Sequence, residues 1–198
     1  MGDQTALDDP GTGIDLFWIP LGAGGHGFVR WNGRMYEAIK ARAERRPRLD
    51  LYHTALEVHL PDGRFTIESA WPSPDLDKNS RGVMLEGPVF TSRLARFRAF
   101  RYEVRCWRDG VIPDAGEAVG GPQPVATDPA AALALLGLIP EVPPLAWGRD
   151  PPGVGDMWNS NSVISWLLAR SGLPVAELRP PERGHAPGWR AGVALAGR

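Results

Sequence analysis

The chain has 198 residues, a length suited to one domain with a sizeable core, and its 43% hydrophobic and 23% charged residues are ordinary for a globular protein. A net charge of -1 gives no whole-chain electrostatic footprint for nucleic acid or an acidic membrane. The single cysteine, Cys106, rules out an intrachain disulfide and a four-cysteine metal site.

Residues 1–13 are polar, carry Gly and Pro, and lack the basic and apolar regions of a secretory signal, so a flexible N-terminus and a cytoplasmic location are expected. No apolar run is long enough for a membrane span. "IDLFWIPLG" (14–22) reads as a short buried strand. "FVRWNGRMYEAI" (28–39) reads as two strand-like runs around an Asn32-Gly33 turn, and "AIKARAERRPRLD" as a short polar helix or loop.

A clearer hairpin follows, with "LYHTALEVHL" (51–60) and "FTIESAWP" (65–72) around "PDGR". With Asp62-Gly63 at the turn centre, Leu60 pairs with Phe65 and Glu57 with Glu68. One face then carries His53, Ala55, Glu57, His59, Thr66, Glu68 and Ala70. The other carries Leu56, Val58, Leu60, Phe65 and Ile67, and is the core side.

Loop-rich sequence is expected over 72–94, and a strand within "ARFRAFRYEVRCWRDG" (95–110), where a buried structural role is the default for Cys106. "VIPDAGEAVGGPQPVAT" reads as a connector. "DPAAALALLGLI" (128–139) reads as a helix with Asp128 as N-cap and Pro129 at the first position. Pro-rich sequence leads into "MWNSNSVISWLLARSGL" (157–173). From Ser160, Val163, Ile164, Leu167 and Leu168 fall at helical spacing as one apolar stripe, and Gly172 supplies the stop. From Ser162 the corresponding face is much weaker. Residues 180–198, with Pro and Gly and no periodicity, are expected as a tail over the surface, leaving 14–179 as the single domain.

Strands first and helices later predict an α+β fold with an antiparallel sheet. Ser160, at the front of the packed stripe, sits where a helix offers unpaired N–H groups and the positive end of its dipole. A nucleophile there is helped toward its anion, and Asn159 or Asn161 could add a donor to an oxyanion. The same residues are also ordinary caps. Of the four histidines, His26 lies in a glycine loop and His185 in the tail, whereas His53 shares a polar face with two carboxylates. A base and its orienting group need that combination. Trp158, just before Asn159, is a candidate wall for an apolar pocket. His53 and His59 with Glu57 or Glu68 could instead hold a metal. "GAGGHG" (22–27) lacks the Gly-Lys-Ser/Thr ending of a phosphate loop.

The chain order of a histidine at the start of a hairpin strand and, much later, a nucleophile opening a packed helix resembles the circularly permuted papain-like superfamily. That group includes the permuted NlpC-type peptidases, the lecithin:retinol acyltransferase-like proteins and the deSUMOylating isopeptidases. "Asn159-Ser160-Asn161-Ser162-Val163" is similar to its Asn-Cys-x-x-Phe helix motif with Ser for Cys, as in bacterial proteins carrying "PNSNTF" or "NSNSF". "His53-Thr54-Ala55-Leu56-Glu57-Val58" is similar to its histidine strand. The resemblance implies an antiparallel sheet or partly open barrel packed against the nucleophile helix. It also implies hydrolysis or acyl transfer on an amide, ester or thioester of a small molecule or peptide, with no cofactor and no metal. Ser160 would be the nucleophile, His53 the base, and Glu68 or Glu57 the orienting carboxylate. A relative that keeps only the cleft, and binds a ligand or protein in it, is the competing expectation.

Overall fold

The computed structural model describes residues 11–22, 37, 41–42, 45, 47–72, 81–112, 114–181 and 183–198. The expected Asn32-Gly33 hairpin, the glycine loop with His26 and most of the polar helix lie outside the described residues.

Strand β1 (Gly13–Pro20), apolar on both sides from Leu16 to Ile19 with Asp15 near its start, pairs antiparallel along β2 (Asp50–Leu60). Ile14, Leu16 and Trp18 enter the main core, while Phe17 and Ile19 form a second small cluster with Ala55 and Ile112. A strand covered on both faces needs no polar alternation, which explains its continuous hydrophobic run. The chain then turns into β3 (Gly63–Ala70), and β4 (Val83–Pro88) and β5 (Arg101–Arg108) extend the sheet. With β6 (Gln123–Ala126), the strand order is β4-β5-β3-β2-β1-β6. A two-residue strand, β7 (Gly184–His185), lies parallel to the start of β2.

The hairpin turn is tighter than the sequence suggested. Leu60 pairs with Gly63 and Glu57 with Thr66, so Glu57 does not face Glu68 directly. The register slips by two residues, which preserves which side chains share a face. The β2–β3 ladder runs only from Leu60–Gly63 to Leu56–Ile67. Beyond it β2 continues with β1, and β3 with β5. His53 and Glu68 therefore lie past the last rung joining their strands.

Helix α1 (Pro129–Leu138) starts as expected, with the Asp128 carboxylate accepting from the Ala130 amide. Helix α2 (Ser160–Arg170) packs on the core face against Leu56, Val58 and Ile67, and its Val163, Ile164, Leu167 and Leu168 are fully buried. The expected tail is instead part of the domain: α3 (Trp189–Ala196) packs along α2. Its short side chains hide the usual periodicity. A Cβ on Gly192 would run into the Ser162 carbonyl, so only glycine permits this approach. The Ser162–Ser165–Trp166 face of α2, weak as an apolar stripe, is consequently buried too, with Ser165 Oγ donating to Trp189 O at 2.8 Å.

The arrangement is α+β with a largely antiparallel sheet. No helix among the described residues is long and apolar enough to cross a membrane.

Candidate active site

Four polar residues open α2, and three of them are absorbed by structure. Asn159 is the N-cap: its Oδ1 accepts from the Asn161 amide at 2.9 Å and the Ser162 amide at 3.3 Å. Ser162 completes a capping box by accepting from the Asn159 amide at 3.0 Å, and its hydroxyl also lies 2.8 Å from Gly188 O. Asn161 directs its amide hydrogens to Tyr52 O at 3.0 Å and Pro187 O at 2.8 Å, while its Oδ1 accepts from Thr54 Oγ1 at 3.0 Å. Asn159 Nδ2 also reaches Pro187 O, at 2.8 Å. Both side-chain amides expected as oxyanion donors are thus tied to the backbone of the 185–188 segment and β2.

Ser160 is the exception. It stands at the first helical position, 9% exposed, and its hydroxyl has no hydrogen bond among the described residues. The cap takes the amides of Asn161 and Ser162, leaving the Ser160 N–H as a first-turn donor outside it.

Trp158, expected as a candidate pocket wall, lies in the main core. It is fully buried, and its indole N–H donates to the Tyr102 hydroxyl at 3.0 Å. Burial pushes the Tyr102 phenol up to about 12, so that hydroxyl stays neutral and available to the indole.

On β2, Thr54 meets α2 and His53 turns to the other side of the strand, opposite Ile19 and next to Ala55. No hydrogen bond joins His53 to Ser160, Glu68 or Glu57 among the described residues. Glu68 is 3.1 Å from Arg105 Nη1, and Glu57 is 3.2 Å from Arg64 Nη1. Burial lowers the His53 pKa from 6.5, and the carboxylate of Asp114 opposes that shift. Burial also raises Glu68 above 4.5, against the pull of Arg105 and with Asp114 adding to it.

Asp114 was missed as a site residue because the sequence around it reads as a connector. It sits between Ile112 and Ala115, both packed in the small cluster with Ile19 and Ala55 that surrounds the His53 side of β2. Its position beside Pro113, in a loop flanked by apolar residues, is the only sequence signal that pointed there.

Arg105 is held in turn by Glu103, 2.9 Å away, which also binds Arg81. Burial alone would raise the Glu103 carboxyl, but hydrogen bonds from Arg81 and Arg105 outweigh it and hold the group below 4.5. Cys106 neighbours this network on β5, and burial pushes its thiol up to about 11, which fits the structural role expected of it.

His59 lies six residues and roughly 20 Å from His53 along β2, beside Glu57, whose Oε2 is 3.9 Å from its Nε2. The same His59 Nε2 lies 3.1 Å from Asp15 Oδ2, a close contact without hydrogen-bond alignment. It borders an open depression of about 560 Å³ with Asp15, Thr12 and Thr127, at the opposite end of the strand from His53. No group of three His, Cys, Asp or Glu among the described residues is placed to hold a metal ion, and His53 and His59 do not converge.

No family model, curated protein or solved structure matches this chain.

Proposed function

We propose that the chain is a hydrolase or acyltransferase of the permuted papain-like kind, with Ser160 as nucleophile and His53 as base. The observation that carries this reading is the state of Ser160: it alone among the residues opening α2 keeps an uncommitted hydroxyl at a helix N-terminus. Two features support it. The β2–β3 ladder stops short of His53 and Glu68, at the end of β2 that α2 begins beside. Burial keeps the imidazole neutral at neutral pH, the state a base requires.

In this reading Ser160 Oγ attacks an ester, thioester or amide carbonyl and passes its proton to His53. The imidazolium returns that proton to the leaving group. The Ser160 amide donates to the oxyanion, and no cofactor takes part. The resting arrangement lacks a Ser160–His53 hydrogen bond and holds His53 on the face of β2 away from α2, so the reaction requires this end of β2, paired with β1 but no longer with β3, to rearrange. Asp114, whose charge acts on His53 and against which no arginine is held among the described residues, is better placed than Glu68 or Glu57 to orient the imidazole.

A second reading, a non-catalytic domain that binds a ligand or protein in the cleft, is favoured by the missing Ser160–His53 bond and by the pairing of Glu68 with Arg105. Labelling with a fluorophosphonate or acyl-thioester probe separates the two. The enzyme reading expects a stable adduct on Ser160 that His53→Ala slows at least 100-fold. Equal labelling of wild type and Ser160→Ala, or none, supports the binding reading.

A further inference from the structure

The loop between β4 and β5 carries a signal unrelated to Ser160. It spans residues 89–100 and is closed by Val89 N donating to Phe100 O at 2.8 Å. Its sequence, "VFTSRLARFRAF", holds three arginines and no acidic residue, in a chain whose net charge is -1. Arg93, Arg96 and Arg98 are all exposed. The whole-chain balance conceals this local excess, which is why composition alone argued against an acidic surface as partner.

The same loop keeps aromatic rings in water. Phe90 is 52% exposed and Phe97 50%. Phe90 has φ +61, a left-handed conformation costly for a bulky residue. Its amide donates to Trp147 O at 3.0 Å, and its carbonyl accepts from Arg149 Nε at 3.0 Å. The backbone is thus pinned in a strained state while the ring stays outside. Trp71, 47% exposed, is linked to the loop through Trp147: its ring lies 5.7 Å from that of Trp147, whose carbonyl holds the Phe90 amide. The Arg96 guanidinium lies 4.7 Å over the Phe97 ring, so charge and ring are presented together.

We propose that this loop docks the protein on an anionic lipid bilayer. The arginines meet headgroup phosphates and carboxylates, and Phe90, Phe97 and Trp71 enter the boundary between headgroups and acyl chains. Exposed rings beside exposed arginines match the boundary of an anionic bilayer, which offers acyl chains to the rings and phosphates to the guanidinium groups at one depth. A polyanion such as single-stranded nucleic acid shares the charge complementarity, but it would meet the acidic balance of the rest of the chain along its length. A bilayer touches only this face. The inference is independent of any reaction at Ser160.

Cosedimentation of the full chain with vesicles tests it. Vesicles of phosphatidylcholine with 30% phosphatidylserine are expected to retain the protein at 0.1 M salt and release it at 0.5 M. Pure phosphatidylcholine vesicles should retain little. Each arginine near such a surface contributes about fivefold in partitioning, so R93E with R96E should weaken retention by at least about 25-fold. Phe97→Ser should weaken it at unchanged salt dependence. Equal retention on neutral vesicles, no release by salt, unchanged binding of the Arg variant, or tighter binding to a single-stranded oligonucleotide than to the anionic vesicles would each overturn the proposal. The lipid and salt comparisons use the unaltered protein and do not depend on how the variants fold.

Discussion

Thr54 Oγ1 donates to Asn161 Oδ1 across 3.0 Å, joining the central strand to the first turn of α2. Both residues are buried, and the other end of the same amide binds Tyr52 O and Pro187 O. Asn161 therefore locks β2, α2 and the C-terminal segment together at one point. Removing it strands Thr54 Oγ1 and Tyr52 O, each costing about 1–3 kcal/mol when unpaired, while Pro187 O keeps its bond from Asn159 Nδ2. Asn161→Ala is expected to lower unfolding free energy by about 3 kcal/mol, read from urea denaturation. A loss below about 0.5 kcal/mol would show that the amide does not hold the elements together.

Ser160 and Ser162 give a sharper contrast. Ser162 is fully buried and closes the capping box, so Ser162→Ala should cost about 1–3 kcal/mol. Ser160 makes no such bond, and Ser160→Ala should change stability by less than about 0.5 kcal/mol while abolishing labelling by acylating probes. Urea curves for the two variants, measured together, test the assignment. A large loss of stability at Ser160 would mean that its hydroxyl is structural.

The pH dependence follows from His53. Burial makes the folded protein bind this proton more weakly than the unfolded chain does. Below the unfolded value, near 6.5, the unfolded chain takes up more protons, so stability rises with pH in that window. The contribution is complete above 6.5 and falls on acidification until the folded imidazole also protonates. The urea midpoint should therefore be lower at pH 5.5 than at pH 7.5 by more in wild type than in His53→Gln. An identical pH response in the two proteins would place His53 in solvent. Glu103, held below its ordinary value by two arginines, acts in a separate, more acidic window below about 4.5.

The strands and helices that carry one long periodic signal were legible: 14–20, the 50–70 hairpin, the Asp128-capped helix and the Ser160 stripe. The hairpin faces were also legible, because a two-residue slip in the turn leaves side-chain parity intact. What was not legible depends on neighbours. β4 and β6 are short strands whose pairing is set by the longer strands beside them. α3 has small residues where a stripe would be, since it packs by close backbone approach. The candidate site suffered most. Polarity picked out Asn159, Asn161 and Ser162 beside Ser160, but only tertiary contacts reveal that the first three are committed. The same contacts place Arg105 on Glu68 and bring the Asp114 loop to the His53 side of β2.

The contact between α2 and α3 gives a last prediction. Gly192 lies where a Cβ would collide with Ser162 O, Ser165 Oγ and the Trp166 amide. Two of those three are backbone atoms in the buried stretch Ser160–Leu168 of α2, so the neighbours have little room to yield. Alanine normally favours a helix interior over glycine by about 1 kcal/mol. Here overpacking, typically about 1–3 kcal/mol, should outweigh that gain and reverse its sign. Because Ser162 closes the cap of α2, displacing α3 also loosens the first turn that carries Ser160. Gly192→Ala should therefore lower the urea midpoint and speed amide exchange at Asn161 and Ser162 together. Stabilisation by Gly192→Ala, with exchange unchanged at both amides, would mean that α3 does not sit this close.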